Sequence, residues 1–261
     1  NITRNRTNSF VRPESLCLKA RSYRINIMDI KKELTNGKGY AVVNIENMNL
    51  LNELQNSFIE KINIPNKIKK DINFVRKEVA KMSKAEVNQC MIDLLKLNNL
   101  SEIIINSCPK LIDSLCGKEL FIQRRATFVM NVPGEGQAKQ WPHYELMSGI
   151  SPHSYIIWAP LHDLEENSGV YYFDQKRSLE LMKKEQEKGI VNGPMILNMM
   201  SKQKPEQLNF GQAVVFNPFL LHGNTVFNSE FARIACTTRF QSSNKPLLQK
   251  NSDYLKFYTL N

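Results

Sequence analysis

Histidine is scarce in this chain: only His143, His153, His162 and His222 occur among 261 residues. Each is therefore informative, and all of them fall between residues 143 and 222. Cysteine is also sparse and odd in number. Cys17, Cys90, Cys108, Cys116 and Cys236 follow no metal-ligand spacing, which argues against a zinc ribbon or a disulfide framework and for free thiols in a reducing cytosol. No apolar run reaches the roughly 18 residues that a membrane-crossing helix needs, and no signal peptide leads the sequence, so a cytoplasmic protein without a membrane partner is expected. The first residue is Asn1 rather than methionine, so the natural start is expected to have been trimmed or to be missing. There is no long lysine-arginine block and no RNA-type aromatic signature, which argues against a dedicated nucleic-acid surface. Internal repeats and low-complexity segments are absent as well.

What is present is an ordinary globular composition, 42% apolar and 23% charged, long enough for one sizeable core. The net charge is +10. It reads either as a lysine-rich surface from an Asn/Lys/Ile-biased genome or as attraction to an anionic small molecule or acidic partner.

Residues 1–24 read as a basic arm, 25–245 as a single domain and 246–261 as a tail. The arm packs on the domain or on a second subunit of a homo-oligomer; the sequence leaves both open. Helices are expected near Ile27–Leu34, over Leu50–Ile62 and, from the capping box Ser83-Lys84-Ala85-Glu86, over Lys84–Leu97. A further helix is expected over Leu100–Leu115, kinked or opened by Pro109. Residues 63–82 read as a loop or partial helix. Gly37 and Gly39 precede a strand over Tyr40–Ile45. From Leu120 the pattern turns to β, with a strand over 121–131, another over 141–147, then Tyr155–Leu161, Val170–Phe173, Ala213–Phe216 and Ile234–Gln241. Residues 176–201, ending Met-rich with Met195, Met199 and Met200, form a helical insertion that caps the barrel or serves as a lid. Helices leading and short strands following predict an α+β, mainly β fold: a double-stranded β-helix, a cupin-like jelly roll flanked by N-terminal helices.

The chemistry concentrates in Trp141-Pro142-His143-Tyr144-Glu145 and the remote Phe219-Leu220-Leu221-His222-Gly223-Asn224. On a strand, residues two apart share a face, so His143 and Glu145 project together and Tyr144 points away as a structural residue. With His222 they make two imidazoles and one carboxylate, the facial set that holds non-haem Fe(II) and leaves half the octahedron open. Arg233 follows eleven residues after His222 at the head of an alternating strand. Its guanidinium can hold the far carboxylate of 2-oxoglutarate in a bidentate pair.

The runs Ile157-Trp158-Ala159-Pro160-Leu161-His162-Asp163-Leu164-Glu165-Glu166-Asn167-Ser168-Gly169-Val170 and Gly211-Gln212-Ala213-Val214-Val215-Phe216-Asn217-Pro218-Phe219-Leu220-Leu221-His222-Gly223, followed by Arg233, resemble phytanoyl-CoA-dioxygenase-like 2-oxoglutarate/Fe(II) oxygenases over about residues 118–241. The stretch from Asn131 to Glu145 is similar to a bacterial branch found in carbohydrate-biosynthesis clusters. The resemblance implies Fe(II) on His143, Glu145 and His222, with 2-oxoglutarate as cosubstrate on Arg233. It also implies oxidation of a small anionic, sugar-derived intermediate for a surface polysaccharide by O₂, giving succinate and CO₂ alongside the product. Glu145 stands where the family usually has aspartate. Related halogenases lack this carboxylate, so its presence argues for hydroxylation or another oxygen chemistry. Asn224 stands where a hydroxyl is usual, and its amide can still bond a carboxylate. Asn131 and Trp158 read as cofactor-pocket residues or as barrel packing, His153 as a substrate contact near the mouth, and His162 as a strand-end residue.

Two other readings compete. One is a non-oxidative metal-dependent sugar enzyme on the same jelly roll, which needs no Arg233. The other is a non-catalytic polyanion-binding protein on that fold.

Overall fold

The computed structural model describes residues 27–64, 71–134, 142–188, 196, 198–199, 202–224, 228–248 and 254–260. The basic arm, Trp141, Met195 and Met200 lie outside the described residues.

The helical half follows its local signals. α1 (Ile27–Asn36) leads into β1 (Tyr40–Asn44) through Gly39, at φ 85°, where a Cβ would stand 2.9 Å from Leu220 Cδ1. Only glycine accepts that turn and that approach. α2 (Met48–Lys61) buries Leu51, Leu54 and Phe58 at helical spacing. Within 63–82 the chain makes α3 (Ile72–Val79), started by Asp71, whose carboxylate accepts from the Phe74 N–H at 2.8 Å. Ser83 and Glu86 complete the capping box that opens α4 (Lys84–Leu94), which stops short of the expected Leu97. Pro109 does not kink one helix over 100–115. It starts α6 (Pro109–Cys116), separate from α5 (Leu100–Asn106), at a position where its missing N–H costs nothing.

The β half is built on β8 (Arg233–Ser242). One edge of it pairs with β4 (Tyr155–Pro160), which pairs in turn with β6 (Gln212–Phe216) and then β1. Where a single strand over 121–131 is expected, the other edge of β8 takes β2 (Glu119–Gln123) and then β3 (Thr127–Asn131). Between these strands Gln123–Ala126 stand opposite only Thr238 and Arg239, a bulge secured by the Gln123 amide donating to the Arg125 carbonyl at 2.6 Å. The residues after 245, expected to trail, contribute β9 (Leu255–Thr259), which pairs with β2 and extends the sheet.

A second sheet of two short strands, β5 (Tyr171–Tyr172) and β7 (His222–Gly223), faces the first. Over its described part, residues 142–147, the strand expected at 141–147 does not form. His143 makes a single bridge to His222, and Glu145–Ser148 coil into a 3₁₀-helix closed by Gly149 at φ 75°.

Residues alternate across β8, and the two faces have different jobs. Ile234, Cys236 and Phe240 join the core under the helical layer, with Leu51, Leu54, Phe58 and Phe128. Ala235 joins the inner core with Ile156, Trp158, Tyr172, Val214, Phe216 and Leu220. Arg233 and Arg239 share that inward parity. α7 (Gln175–Lys188), which begins the insertion, packs Leu181 against Tyr144, Tyr171, Phe173 and Leu221 in and around the small sheet, and Ile196 joins the same cluster.

Candidate metal centre

His222 lies between two neighbours. Tyr172 pairs with it on one side, and His143 exchanges backbone hydrogen bonds with it on the other, at 2.9 and 3.1 Å. Opposed residues in antiparallel pairs bring their side chains together, and the two imidazole centroids stand 4.4 Å apart. Glu145, at the start of the 3₁₀-helix, turns its carboxylate to the same point. Its Oε1 lies 3.8 Å from His222 Nε2 and 4.0 Å from His143 Nε2. One ligand atom from each residue falls within 4.8 Å of the others, and among the described residues this is the one such group of His, Cys, Asp and Glu. Ligands about 2 Å from one ion stand roughly 3 Å apart at adjacent octahedral vertices, so the side chains need to close by roughly one to two ångströms.

The protonation states suit a cation. His222 Nδ1 faces the Leu220 carbonyl at 3.0 Å and donates to it, leaving the Nε2 lone pair for the site. Burial, with the neighbouring His143 adding to it, pushes His222 down to about 4, so the ring is neutral near pH 7. Burial by itself would raise the Glu145 carboxyl. The charge of Arg239 and its hydrogen bonds, with the neighbouring imidazoles adding to them, outweigh it and hold the group below the usual carboxylate range. Two imidazoles and a carboxylate form a donor set that fits Fe(II).

Arg239, which the sequence reading passed over, binds that carboxylate side-on. Nη2 and Nε donate to Oε2 at 2.8 and 3.2 Å, and Nη2 also reaches Oε1 at 3.1 Å. The available signal was its even spacing from Arg233 on an alternating strand.

Arg233 is 1% exposed and makes no such pair. Nη1 donates to the Ser168 and Gly169 carbonyls at 2.9 and 3.1 Å, and Nη2 donates to Asn131 Oδ1 at 2.5 Å. The Trp158 ring lies 5.5 Å from the guanidinium carbon. Nε is buried without a hydrogen-bond partner, and burial draws the group down to about 10, with only Tyr172 acting against it. Among the described residues no carboxylate pairs with it, and a buried cation with an unused donor can anchor an anion. Asn131 and Trp158 are thus brought to Arg233. Asn224 lies buried just beyond β7.

The remaining histidines stay outside the group. His153 sits half-buried in the turn before β4, its backbone N–H donating to Ser151 Oγ. His162 is structural: Nε2 accepts from the Ile234 N–H at 3.0 Å, and Nδ1 meets the Asp163 carbonyl at 2.6 Å. Burial and the nearby Arg76 charge depress it from 6.5 to about 4. A depressed histidine favours the unfolded state as it gains a proton, so its contribution is complete above pH 6.5 and lost on acidification through pH 4. Replacing His162 with Gln should make the stability-versus-pH curve shallower in that window by up to one proton, about 1.4 kcal/mol per pH unit. Urea unfolding at several pH values checks it, and an unchanged slope would contradict the assignment. Tyr144 is structural too, its hydroxyl donating to the Ser178 carbonyl at 3.1 Å.

No protein-family model matches the sequence, and no curated protein is similar to it. Solved structures are similar in fold. The non-heme alpha ketoglutarate dependent epimerase SnoN from nogalamycin biosynthesis superposes with a TM-score of 0.53 at 12% identity, covering 90% of this chain and 95% of that one. SnoN in complex with Fe3+, alpha ketoglutarate and nogalamycin RO gives 0.51 at 11% identity, covering 90% and 95%. The nickel complex of the non-heme monooxygenase ThoJ gives 0.50 at 12% identity, covering 88% and 86%. The fold is a double-stranded β-helix. In it β5, β7 and the His143 bridge form the short sheet, and the candidate ligands line its inner side.

Proposed function

We propose that this protein is an Fe(II)- and 2-oxoglutarate-dependent oxygenase acting on a small anionic molecule. The observation that carries the reading is the convergence of His143, Glu145 and His222 inside a β-helix that also buries Arg233 without a counter-ion among the described residues. His143, Glu145 and His222 would hold the metal, and Arg233, steadied by Asn131, Trp158 and the Ser168 and Gly169 carbonyls, would hold the far carboxylate of 2-oxoglutarate, with Asn224 nearby on the chain. Fe(II) with 2-oxoglutarate supplies the oxidising power drawn from O₂; the protein supplies binding, orientation and a dry site. Dryness comes from the aromatic wall beside His222: Phe216 at 4.8 Å and Tyr172 at 5.8 Å between ring centroids, with Tyr40 stacked on Tyr172 at 4.8 Å.

A sugar-derived substrate rests on the narrower sequence resemblance, and the +10 net charge supports an anionic one. Hydroxylation is the first expected outcome. Other oxidative outcomes belong to the same reading, since one protein of similar fold is described as an epimerase. A reducing, cytosolic setting goes with it: Cys90, Cys108, Cys116 and Cys236 are free and buried, and no helix of the described residues is long and apolar enough to cross a membrane.

The test is an anaerobic titration of the wild-type protein with Fe(II) and 2-oxoglutarate. The expected result is the visible charge-transfer band that the family resemblance implies for this pair, saturating at one equivalent. Metal binding without the band would instead favour a non-oxidative metal enzyme.

A further inference from the structure

Arg239 makes more contacts around Glu145 than charge balance requires. The two carboxylate oxygens are unequal. Oε1 is the oxygen nearest both imidazole Nε2 atoms, at 3.8 and 4.0 Å, while Oε2 takes the shortest guanidinium bond, 2.8 Å, and the Nε bond as well. Arg239 is itself held from the other side. Nη1 donates to Gln123 Oε1 at 3.1 Å, and the Tyr254 hydroxyl bonds the guanidinium. Gln123 is fixed in turn, its amide donating to the Arg125 carbonyl at 2.6 Å and to Thr127 Oγ1 at 3.3 Å. The chain thus arrives at the carboxylate from β8, from the β2–β3 bulge and from the residue before β9.

Carboxylates bind metals through one oxygen or two. Three single-atom ligands leave three octahedral positions open, and a bidentate carboxylate leaves two. A cosubstrate chelating through two oxygens, plus O₂, needs all three. Glutamate, on a longer arm than aspartate and carried by a 3₁₀-helix rather than a strand, has the freedom to swing its second oxygen onto the ion.

We propose that Arg239 is a positioning residue that withholds Oε2 from the metal and so keeps Glu145 monodentate. This rests on the metal reading above. The guanidinium does it by geometry, gripping Oε2 with two N–H groups at 2.8 and 3.2 Å while only Nη2 reaches Oε1, at 3.1 Å, on the side that faces the histidines. A lysine at the same place keeps the charge but, as a point ammonium, cannot fix the plane of the carboxylate.

Water-proton relaxivity of Mn(II) bound to the protein, without 2-oxoglutarate, counts the open positions directly. Three exchangeable waters are expected for the wild type. For folded Arg239→Lys, and for Arg239→Met as a second variant, the count should fall to two, lowering relaxivity per bound ion by about one third. Three waters in every folded variant would overturn the proposal, and so would two already in the wild type. No Mn(II) bound to the wild type would remove the metal reading itself, and the proposal with it. Three waters throughout would leave the metal reading standing and remove only the role of Arg239.

Discussion

Replacing His222 with Ala should weaken metal binding by more than about 100-fold, beyond what loss of an outer-shell partner costs. The ring is positioned on every side, by the Nδ1 contact to Leu220, by Phe216 and by Tyr172. Alanine removes the Nε2 ligand atom from the group. The bridge to His143 is made by backbone atoms, so the alanine chain should still fold and the loss should appear as affinity rather than as unfolding. Calorimetric titration with Fe(II) or Ni(II) under anaerobic conditions, with circular dichroism to confirm the fold, measures it. Wild-type affinity in the folded variant would mean that the three side chains are not the ligands. In the same protein the Fe(II)/2-oxoglutarate band should be absent.

Removing Arg233 should separate the cosubstrate from the metal. Truncating one partner of a buried, hydrogen-bonded charge pair costs about 2–5 kcal/mol, so Arg233→Met should lower 2-oxoglutarate affinity by roughly 30- to 4000-fold while metal affinity stays near wild type. The variant also leaves Asn131 Oδ1 and the Ser168 and Gly169 carbonyls without their donor. A loss of roughly 1–3 kcal/mol in stability should accompany it. Titrating 2-oxoglutarate into the metal-loaded variant, with urea unfolding in parallel, reads both numbers. Unchanged 2-oxoglutarate affinity would remove Arg233 as the anchor. Arg239 is a poor substitute, since its charge is already committed to Glu145.

Local signals in the sequence were sufficient for much of the fold. Ser83 and Glu86 mark a helix start and Gly39 marks a turn, because each acts on backbone atoms within a few residues, whereas Pro109, expected inside one helix, begins a second. The alternation from Arg233 to Gln241 is a strand because period two survives over its whole length. The scarce histidines drew attention to residues that the fold brings within 4.8 Å.

Other features were decided only by long-range contacts. Residues 141–147 carry alternation enough for a strand, but Glu145–Ser148 coil because β7 offers a partner only at His143. The tail strand β9 exists because the edge of β2 was open to it. His162 reads from the sequence as a strand-end residue, and it is the Ile234 N–H, reached only across the sheet, that gives its Nε2 a structural bond. Arg233 and Arg239 are one residue type on one face of one strand. What separates them is a carboxylate 94 residues away in sequence. A sequence encodes torsional preference and hydrophobic period over short spans, so elements and candidate ligands were legible. Which buried charge is neutralised by a carboxylate and which is not depends on side chains that meet only after the sheets close, so that part is decided by the tertiary structure alone.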